Sequence, residues 1–585
     1  MRRWEIGVLV VLSILVSLVY YYPILNSGNN LGIQDWDQNF AWTEYTRVSL
    51  LNFHQIPFWN PYKCGGSVHF ANPQIPVISF QTLFALLFGT VRGIKLSIFF
   101  HGVIGFIGFY FLAKQYKLSH IGSLLASIIF SFSGITGSFL STGMVVLTSF
   151  AYTPYILFCF NKGLHKGRWG IICGILFALS FYAGYHIPLL LGVYIFVYTL
   201  VTSIVKRTFT PFKTLMIMVF TATFLMLPKL LLSGQLIIIY PHLTHDVSGY
   251  SIHDFFYYLL SQKQNLFREM NIQGFHLADY YAIDENSIYV GILSFVLFLL
   301  FFVHNNKGVR NNFSLVFTLL IIFWIMLGNA IYPSLYKVIQ HLPVFSSFRV
   351  AQRFRFDFII PFSLIIGLGL DNIVRLLQIH KLARPISIMC LLVIYVDLTI
   401  FSSTNFLSKT LIIKNPESQL SRGDAFIQTE ANNPDFEIQR TIQLPNQFLD
   451  SYIFMPLSYE YLKIKQNQGV LECYDSITSG VRAVGIEDER YQGEFYLLKS
   501  VHGVKVENIF WSPNKLIFKI TNAEKAMNNI LIINQNFYPG WIVKTNNNAC
   551  FRATYYNGLL ATKLDFLIDS ITLEFNPFLY YSSCK

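Results

Sequence analysis

Residues 2–23, RRWEIGVLVVLSILVSLVYYYP, determine the class of this protein. Two arginines precede an uncharged, mainly apolar run from Ile6 to Tyr22, whose length lies within the roughly 17–25 residues that a membrane-spanning helix needs. The run resembles a signal peptide, but the bulky residues from Tyr20 to Pro23 offer no small-residue cleavage site. We therefore predict a retained first span, with the amino terminus in the cytoplasm.

The composition of the whole chain agrees with a membrane class. Of 585 residues, 53% are hydrophobic, 17% are aromatic and only 13% are charged. Soluble domains carry about 25% charged residues, so much of this surface must face lipid. The net charge of +12 does not indicate nucleic-acid binding, because the basic residues collect in short loops between apolar runs and form no basic face with interleaved aromatic residues.

Eleven apolar runs predict spans, near residues 5–23, 96–113, 119–137, 144–160, 169–184, 187–205, 213–231, 288–304, 314–330, 356–374 and 385–402. A further run at 75–90 is short and contains Pro76, so we expect it to lie in the interface or to re-enter. With that choice, five basic loops lie inside, as the positive-inside rule favours. These loops contain Lys114 and Lys117; Lys162, Lys166 and Arg168; Lys206, Arg207 and Lys213; Lys307 and Arg310; and Arg375, Lys381 and Arg384.

The predicted architecture is thus a polytopic α-helical membrane protein with two domains. The transmembrane domain covers 1–402 and has outer segments at 24–74, 232–287 and 331–355. An extracytoplasmic, mostly-β domain covers 403–585, where alternating stretches at 515–520 and 530–534 indicate strands of a β-sandwich-like fold. Four cysteines lie on the predicted outer side, where disulfides can form: Cys64, Cys473, Cys550 and Cys584.

The first outer segment carries two carboxylates close to the membrane, Asp35 and Asp37. A carboxylate near the hydrocarbon carries a free-energy cost, so its presence indicates a functional or structural role. It can act as a general base toward an acceptor hydroxyl, or bind a divalent metal together with phosphate oxygens. The alternative is that one of the two aspartates only caps a juxtamembrane helix beginning near Gln38.

Several short motifs occur in a fixed order along the chain. DWDQ at 35–38, PFWNPY at 57–62 and ANPQ at 71–74 resemble the first outer loop of YfhO-like membrane proteins, which belong to the GT-C class of glycosyltransferases. Further matches to these proteins are LGN at 327–329, LP at 342–343, FR at 348–349, RF at 353–354 and YPGW at 538–541. The last of these is either a packed turn or a platform for a sugar ring, and we favour the packed turn.

The resemblance implies an enzyme that transfers a sugar from a polyprenyl-phosphate donor on the outer face of a prokaryotic cell membrane. It implies that an acidic residue of the first outer loop is the base or a metal ligand, Mg²⁺ or Mn²⁺ being the candidates. We select Asp37, because its spacing to Arg47 is similar to that in aminoarabinose- and mannosyl-transferring members. The paired Asp-Glu of those members is replaced here by Asp37-Gln38, which favours a single carboxylate or one that shares its role with Asp35.

Arginines near the last outer segment are candidates for holding the lipid phosphate. Arg349 and Arg353 share a helical face at i, i+4, and the guanidinium fork suits phosphate oxygens. Alternatively, they reach anionic lipid or pair with Asp357. The full predicted substrate-binding set is Arg349, Arg353, Arg47, Trp36, Gln38, Asn60, Asn72 and His186.

Other readings of the sequence stay open. Histidines and acids at 232–287 fit no zinc spacing and favour a solvated acceptor-binding segment. The acceptor is a cell-envelope glycan, a teichoic acid or a protein, and the sequence does not select among them. A lipid-linked glycan transporter or a non-catalytic envelope-assembly protein is the alternative function, although no internal repeat typical of transporters is evident.

Overall fold

The computed structural model describes residues 3–32, 35–240, 249–264, 285–303, 306–342, 344–348, 350–377, 383–430, 460–471, 480–546, 549–565 and 569–578. Its amino-terminal part is helical and its carboxy-terminal part is mainly β. The described α-helices are α1 (Arg3–Tyr20), α2 (Tyr22–Asn26), α3 (Asp35–Leu51), α4 (Phe80–Phe88), α5 (Thr90–Gln115), α6 (His120–Phe132), α7 (Gly134–Ser141), α8 (Thr153–Gly163), α9 (Arg168–Ala183), α10 (His186–Lys206), α11 (Thr210–Ile239), α12 (Ile252–Leu260), α13 (Ile292–Val303), α14 (Asn306–Asn311), α15 (Phe313–Met326), α16 (Leu335–Gln340), α17 (Arg355–Leu377), α18 (Ala383–Asn405) and α19 (Glu460–Lys465).

Short 3₁₀ helices connect several of these elements, at Val145–Tyr152, Gly328–Ala330, Phe345–Ser347, Ala351–Phe354, Leu407–Lys409, Glu417–Gln419 and Ala523–Ala526. The described strands are β1 (Trp59–Asn60), β2 (Ser67–Val68), β3 (Ile427–Thr429), β4 (Gln468–Val470), β5 (Phe495–Leu497), β6 (Lys505–Ser512), β7 (Lys515–Thr521), β8 (Asn529–Asn536), β9 (Trp541–Thr545), β10 (Cys550–Arg552), β11 (Thr554–Tyr556), β12 (Leu559–Leu564) and β13 (Ser570–Phe575).

Within the described part of the chain, seven helices are long and apolar enough to cross a membrane. They cover Arg3–Tyr20, Thr90–Gln115, His120–Ser141, His186–Lys206, Thr210–Ile239, Ala351–Arg375 and Arg384–Lys409. Three shorter apolar helices, Arg168–Ala183, Ile292–Val303 and Phe313–Met326, coincide with further predicted runs. The membrane class predicted from composition is confirmed, while the total of eleven spans stays a prediction.

Two predicted runs have a different form in the structure. The run at 144–160 was expected to be one straight span, but it is a buried 3₁₀ helix that continues into α8. The run at 75–90 contains only the nine residues of α4. At 1.5 Å per residue such a helix is roughly 14 Å long, which is too short to cross the hydrocarbon core, in line with our expectation for this run. The segment 232–287 also differs, because α11 continues to Ile239.

The carboxy-terminal part contains two antiparallel sheets. One has the strand order β10-β9-β13-β7-β6 and the other the order β11-β12-β8-β5. Apolar residues alternate inward along β7 and β13, and residues of both sheets join the same core cluster. The rings of Phe495 and Phe518, one from each sheet, lie 5.2 Å apart. The β-rich character of this region, predicted from alternating stretches, is therefore confirmed.

The PFWNPY motif joins the helical part to the β part. The backbone N–H of Trp59 donates to Oδ1 of Asn514 (3.0 Å), and its indole Nε1 donates to Oε1 of Gln535 (2.8 Å). Its ring meets that of Trp541 edge to face, with centroids 5.6 Å apart. Trp541 is only 2% exposed, so YPGW is the packed turn that we favoured rather than an open sugar platform.

Candidate functional site

Helix α3 is polar in sequence and yet largely buried, because it lies between the helical part and the β part. A buried polar group needs a partner, and several polar side chains of this helix have one. The amide of Asn39 donates to the carbonyl of Gly143 (2.7 Å), and the hydroxyl of Thr43 accepts a hydrogen bond from Gln81 (2.8 Å). The predicted cap position near Gln38 is wrong, since the helix already begins at Asp35.

The first turn of α3 packs directly against a glycine turn. Gly143 has a φ of +88°, and a Cβ built there would lie 2.1 Å from the backbone nitrogen of Trp36. Only glycine permits this approach. Trp36 itself has no exposed surface, and its indole Nε1 donates to the carbonyl of Leu140 (2.9 Å). The predicted substrate contact of Trp36 is therefore corrected: its side chain fixes the start of α3 from inside the core.

Asp37 caps a helix of the distant carboxy-terminal part. Its two carboxylate oxygens accept hydrogen bonds from the backbone N–H groups of Glu460 (2.7 Å) and Tyr461 (3.1 Å), at the start of α19. Helix starts have free N–H groups that favour such acceptors. Burial raises the pKa of the Asp37 carboxyl to about 8, with a further increase from the Glu460 carboxylate, although the two N–H groups and Lys63 oppose this.

Lys63 is a buried cation beside Asp37. It is 4% exposed, and its Nζ lies 3.9 Å from Oε1 of Glu460, which is equally buried. Its Nζ also lies 4.8 Å from the centroid of the Trp42 ring, a cation–π distance. Its only local signal is weak, a single lysine among aromatic and turn residues in NPYKCGG.

Arg353 forms a fork-like ion pair with Glu285. Its Nε lies 2.9 and 3.0 Å from the two carboxylate oxygens, and its Nη2 also donates to Oε1. Glu285 is 2% exposed at its side chain, whereas Arg353 is 21% exposed. Arg353 thus pairs with a buried carboxylate while part of its side chain stays exposed. Arg349, its predicted partner in phosphate binding, lies outside the described residues.

Asp35 is the carboxylate that lies near this ion pair. It is half-buried, whereas Asp37 is buried. Burial raises the pKa of the Asp35 carboxyl to about 6, and the Glu285 carboxylate adds to this, while Lys63 and Arg353 oppose it. Glu285, Lys63 and Arg353 thus all act electrostatically on Asp35. We call these four residues the mixed-charge cluster.

His186 borders the mixed-charge cluster on the side of Arg353, whose charge acts on it. Its ring lies 4.1 Å from that of Tyr185 and 6.1 Å from that of Phe348, centroid to centroid. Its Nδ1 is buried and has no hydrogen-bond partner in the described part of the chain. His186, a member of the predicted substrate-binding set, therefore lies within electrostatic range of Arg353, and its role in substrate binding stays a prediction.

The remaining predicted site residues are Asn60, Asn72, Arg47 and Gln38. Asn60 and Asn72 are 1% and 4% exposed, and their Oδ1 atoms accept backbone N–H groups two residues later in the chain. Their predicted substrate contacts are corrected, because both side chains stabilise turns. Arg47 pairs with Glu44 (3.5 Å) on its own helix. Gln38 is half-buried on the first turn of α3.

Sequence reasoning placed no weight on Glu460 and counted Glu285 only among the acids of a solvated segment. Neither has a local signal, because each acquires its role from a partner far away in sequence. For metal binding, the described residues contain no group of three or more His, Cys, Asp or Glu side chains suited to hold an ion. Mg²⁺ and Mn²⁺ stay candidate cofactors, and the sequence does not decide whether a metal is required.

No protein-family model matches this chain, and no curated protein matches it. Among solved structures, it is similar to the mycobacterial arabinofuranosyltransferase AftD (13% identity, TM-score 0.44), covering 70% of this chain and 27% of AftD. It is also similar to the oligosaccharyltransferase AglB of Archaeoglobus fulgidus (13%, 0.44), covering 81% of this chain and 64% of AglB. A third similar structure is ArnT of Cupriavidus metallidurans (11%, 0.47), covering 80% of this chain and 86% of ArnT.

The chain thus spans about a quarter of AftD and under two thirds of AglB. AglB was solved with a dolichol-phosphate and ArnT with undecaprenyl phosphate. Likeness at this level assigns neither a family nor an activity. The relation to YfhO-like proteins that the sequence motifs imply stays a prediction.

Proposed function

We propose that this chain is a membrane glycosyltransferase that moves a sugar from a polyprenyl-phosphate donor to an acceptor hydroxyl on the outer face of the membrane. The observation that carries the proposal is the mixed-charge cluster. Asp35, which is half-buried, lies within electrostatic range of Arg353, whose side chain is partly exposed, beside helices apolar enough to lie in lipid. A lipid phosphate and an acceptor hydroxyl need just these two kinds of group.

In the proposed reaction, Asp35 takes the proton of the acceptor hydroxyl as the oxygen attacks the anomeric carbon. The bond from that carbon to the phosphate oxygen breaks, and its electron pair stays on the departing phosphate. Arg353, with Arg349 as a second candidate, stabilises the negative charge that develops there. Attack from the face opposite the phosphate inverts the anomeric configuration.

The choice of Asp35 over Asp37 follows from contacts and charge. Both oxygens of Asp37 accept backbone N–H groups, so this carboxylate is occupied in holding α19. A pKa of about 8 also leaves it mostly protonated at neutral pH, whereas a pKa of about 6 leaves Asp35 mostly ionised and able to accept a proton. The sequence favours Asp37 as the base, but its contacts with α19 support a positioning role instead.

The cysteines support an outer location for this site. Cys64, which follows the PFWNPY motif, and Cys550 in β10 are disulfide-bonded. By contrast, Cys159, Cys173 and Cys390, which lie in apolar helices, are free. Disulfides persist in oxidising compartments. This division agrees with the charge-based topology, in which 24–74 and 403–585 lie outside.

The test is transfer from a radiolabelled polyprenyl-phosphate sugar by the purified chain in lipid nanodiscs, using crude envelope fractions as the acceptor. We expect transfer that Asp35→Asn abolishes and Asp37→Asn largely retains. Undiminished transfer by Asp35→Asn would exclude Asp35 as the base. Movement of intact lipid-linked sugar across a liposome membrane, without any transfer, would instead favour a transporter.

A further inference from the structure

A cavity lies in the β part, where Tyr62 of the PFWNPY motif packs against Phe426 and Trp511. Its volume is about 910 Å³, within the ~300–1,000 Å³ typical of small-ligand sites. It is lined by Phe53 just after α3, the segment 422–427 that leads into β3, residues of the strands β5 to β8, and Asn467, Tyr491 and Glu494. Nothing in the proposed transfer mechanism uses these residues.

Aromatic rings form one side of this cavity, which we call the β-domain cleft. Phe426 and Trp511 are stacked with centroids 5.0 Å apart and an interplanar angle of 16°. The register of β6 against β7 shifts between Asn508 and Phe510, which marks a β-bulge at Ile509. Bulges change the direction of side chains. Here the result is that Ile509 and Phe510 are 58% and 44% exposed at the cleft.

Glu494 is a carboxylate that also lines the β-domain cleft. Oε1 of Glu494 accepts hydrogen bonds from the backbone N–H of Gln428 (2.7 Å) and from the hydroxyl of Tyr491 (3.0 Å). Its Oε2 is buried beside the Asn534 side chain. Burial raises the pKa of Glu494 to about 7, so near neutral pH the group can accept a hydrogen bond or donate one.

The charges around the β-domain cleft argue against an anionic ligand. Two carboxylates line it, Glu494 and Asp424, against one guanidinium, Arg422. A phosphate, sulfate or uronate would therefore meet no net positive lining. The amides of Asn467, Asn508 and Gln535 supply neutral donors and acceptors. Exposed aromatic faces beside amides and a carboxyl suit a ligand with both apolar ring faces and many hydroxyls.

We infer that the β-domain cleft binds a neutral carbohydrate segment of about two to four sugar units, with Phe510 and Trp511 against ring faces and Glu494 bonded to a hydroxyl. The inference does not depend on the transfer reaction, because it concerns binding at a separate site. It adds a place at which the chain holds a glycan, whatever chemistry takes place at the mixed-charge cluster.

The test measures binding of defined sugars to the full-length chain in lipid nanodiscs. The probes are chitotriose, maltotriose and mannotriose, with trigalacturonic acid as the anionic counterpart. Saturation-transfer difference NMR detects contact, and titration of tryptophan fluorescence gives the affinity. The variants are Phe510→Ala and Glu494→Gln. The matched control is Tyr555→Ala, since Tyr555 is 68% exposed in β11 and does not line the cleft.

We expect at least one neutral trisaccharide to bind, with affinity about tenfold lower in each cleft variant, as for the loss of one good contact, and unchanged in Tyr555→Ala. Three results would overturn the inference: no binding of any neutral probe at millimolar concentration, tighter binding of trigalacturonic acid, or an equal loss in the control. Sugar transfer is measured separately, so failure of binding and failure of the proposed enzyme activity remain distinguishable.

Discussion

The carboxylate of Asp37 accepts a 2.7 Å hydrogen bond from the backbone N–H of Glu460, a residue 423 positions later in the chain. A residue of the first predicted outer segment therefore caps the start of α19, a helix of the carboxy-terminal part. Lys63 lies near this carboxylate and forms an ion pair with Glu460. The junction between the two parts of the protein and the candidate base of the proposed reaction are consequently only two residues apart on α3.

This arrangement predicts opposite effects for the two aspartates. Asp37→Ala leaves the N–H groups of Glu460 and Tyr461 without their acceptor, which should cost about 1–2 kcal/mol, as for other lost helix caps. We expect a lower unfolding temperature by differential scanning fluorimetry, whereas Asp37→Asn, which keeps one acceptor oxygen, should unfold closer to the wild type.

Asp35→Asn should leave stability unchanged and reduce sugar transfer. Its unfolding temperature should equal that of the wild type, since no hydrogen bond described for the fold depends on its carboxylate. Sugar transfer should fall about 10²- to 10⁴-fold, the usual contribution of a general base. Equal losses of transfer in Asp35→Asn and Asp37→Asn, with both proteins stably folded, would contradict this assignment.

The pH dependence of transfer should report the same assignment. A general base works when it is deprotonated, so kcat/KM should rise with pH through about 6, the pKa of Asp35, and be level above about 7. Between pH 5 and the plateau, the expected increase is about tenfold. If Asp37 were the base, the rise would be centred near its pKa of about 8. Initial rates at subsaturating donor between pH 4.5 and 9 distinguish the two profiles.

How far the sequence could predict this structure depends on the range of the interaction. The membrane class and the β-rich tail follow from hydropathy and alternation, which are local patterns. Asp35, Asp37 and Arg353 could be selected because acids and arginines near apolar runs are costly and therefore informative. The same patterns say nothing about which partner a side chain meets.

The aromatic motifs illustrate this limit. PFWNPY and YPGW are hundreds of residues apart in the sequence, yet Trp59 and Trp541 are in contact. Likewise, the caps formed by Asp37 and the ion pair of Glu285 with Arg353 join distant segments. No periodicity encodes such contacts, so the sequence separated candidate site residues from structural ones only in part, and Trp36, Asn60 and Asn72 were assigned to the wrong group.

Lys63 offers a test of the buried charges. Lys63→Met removes a cation and leaves the buried carboxylate of Glu460 without this partner, a change that typically destabilises by about 3–5 kcal/mol. The double variant Lys63→Met/Glu460→Gln removes both charges, and we expect its unfolding temperature to recover. Because Lys63 lowers the pKa of Asp35, the rise in kcat/KM should lie at higher pH in the double variant. Recovery of stability with an unchanged pH profile would show that Lys63 acts only on the fold.

The structural role of Arg353 and its proposed role in phosphate binding can be distinguished by comparing a single variant with a double variant. Arg353→Met alone leaves Glu285, which is 2% exposed, as a buried charge without the guanidinium, and we expect a poorly folded protein. Arg353→Met/Glu285→Gln removes the whole pair and should fold, since two neutral side chains replace two opposite charges.

If Arg353 also stabilises the lipid phosphate, the folded double variant should lose kcat/KM toward the polyprenyl-phosphate donor by at least about tenfold, whereas Glu285→Gln alone, which keeps the guanidinium, should retain it. Glu285→Gln should in addition move the rise in kcat/KM to lower pH, because the Glu285 carboxylate raises the pKa of Asp35. Full donor use by the double variant would restrict Arg353 to holding the buried carboxylate, and the phosphate would then need another cation.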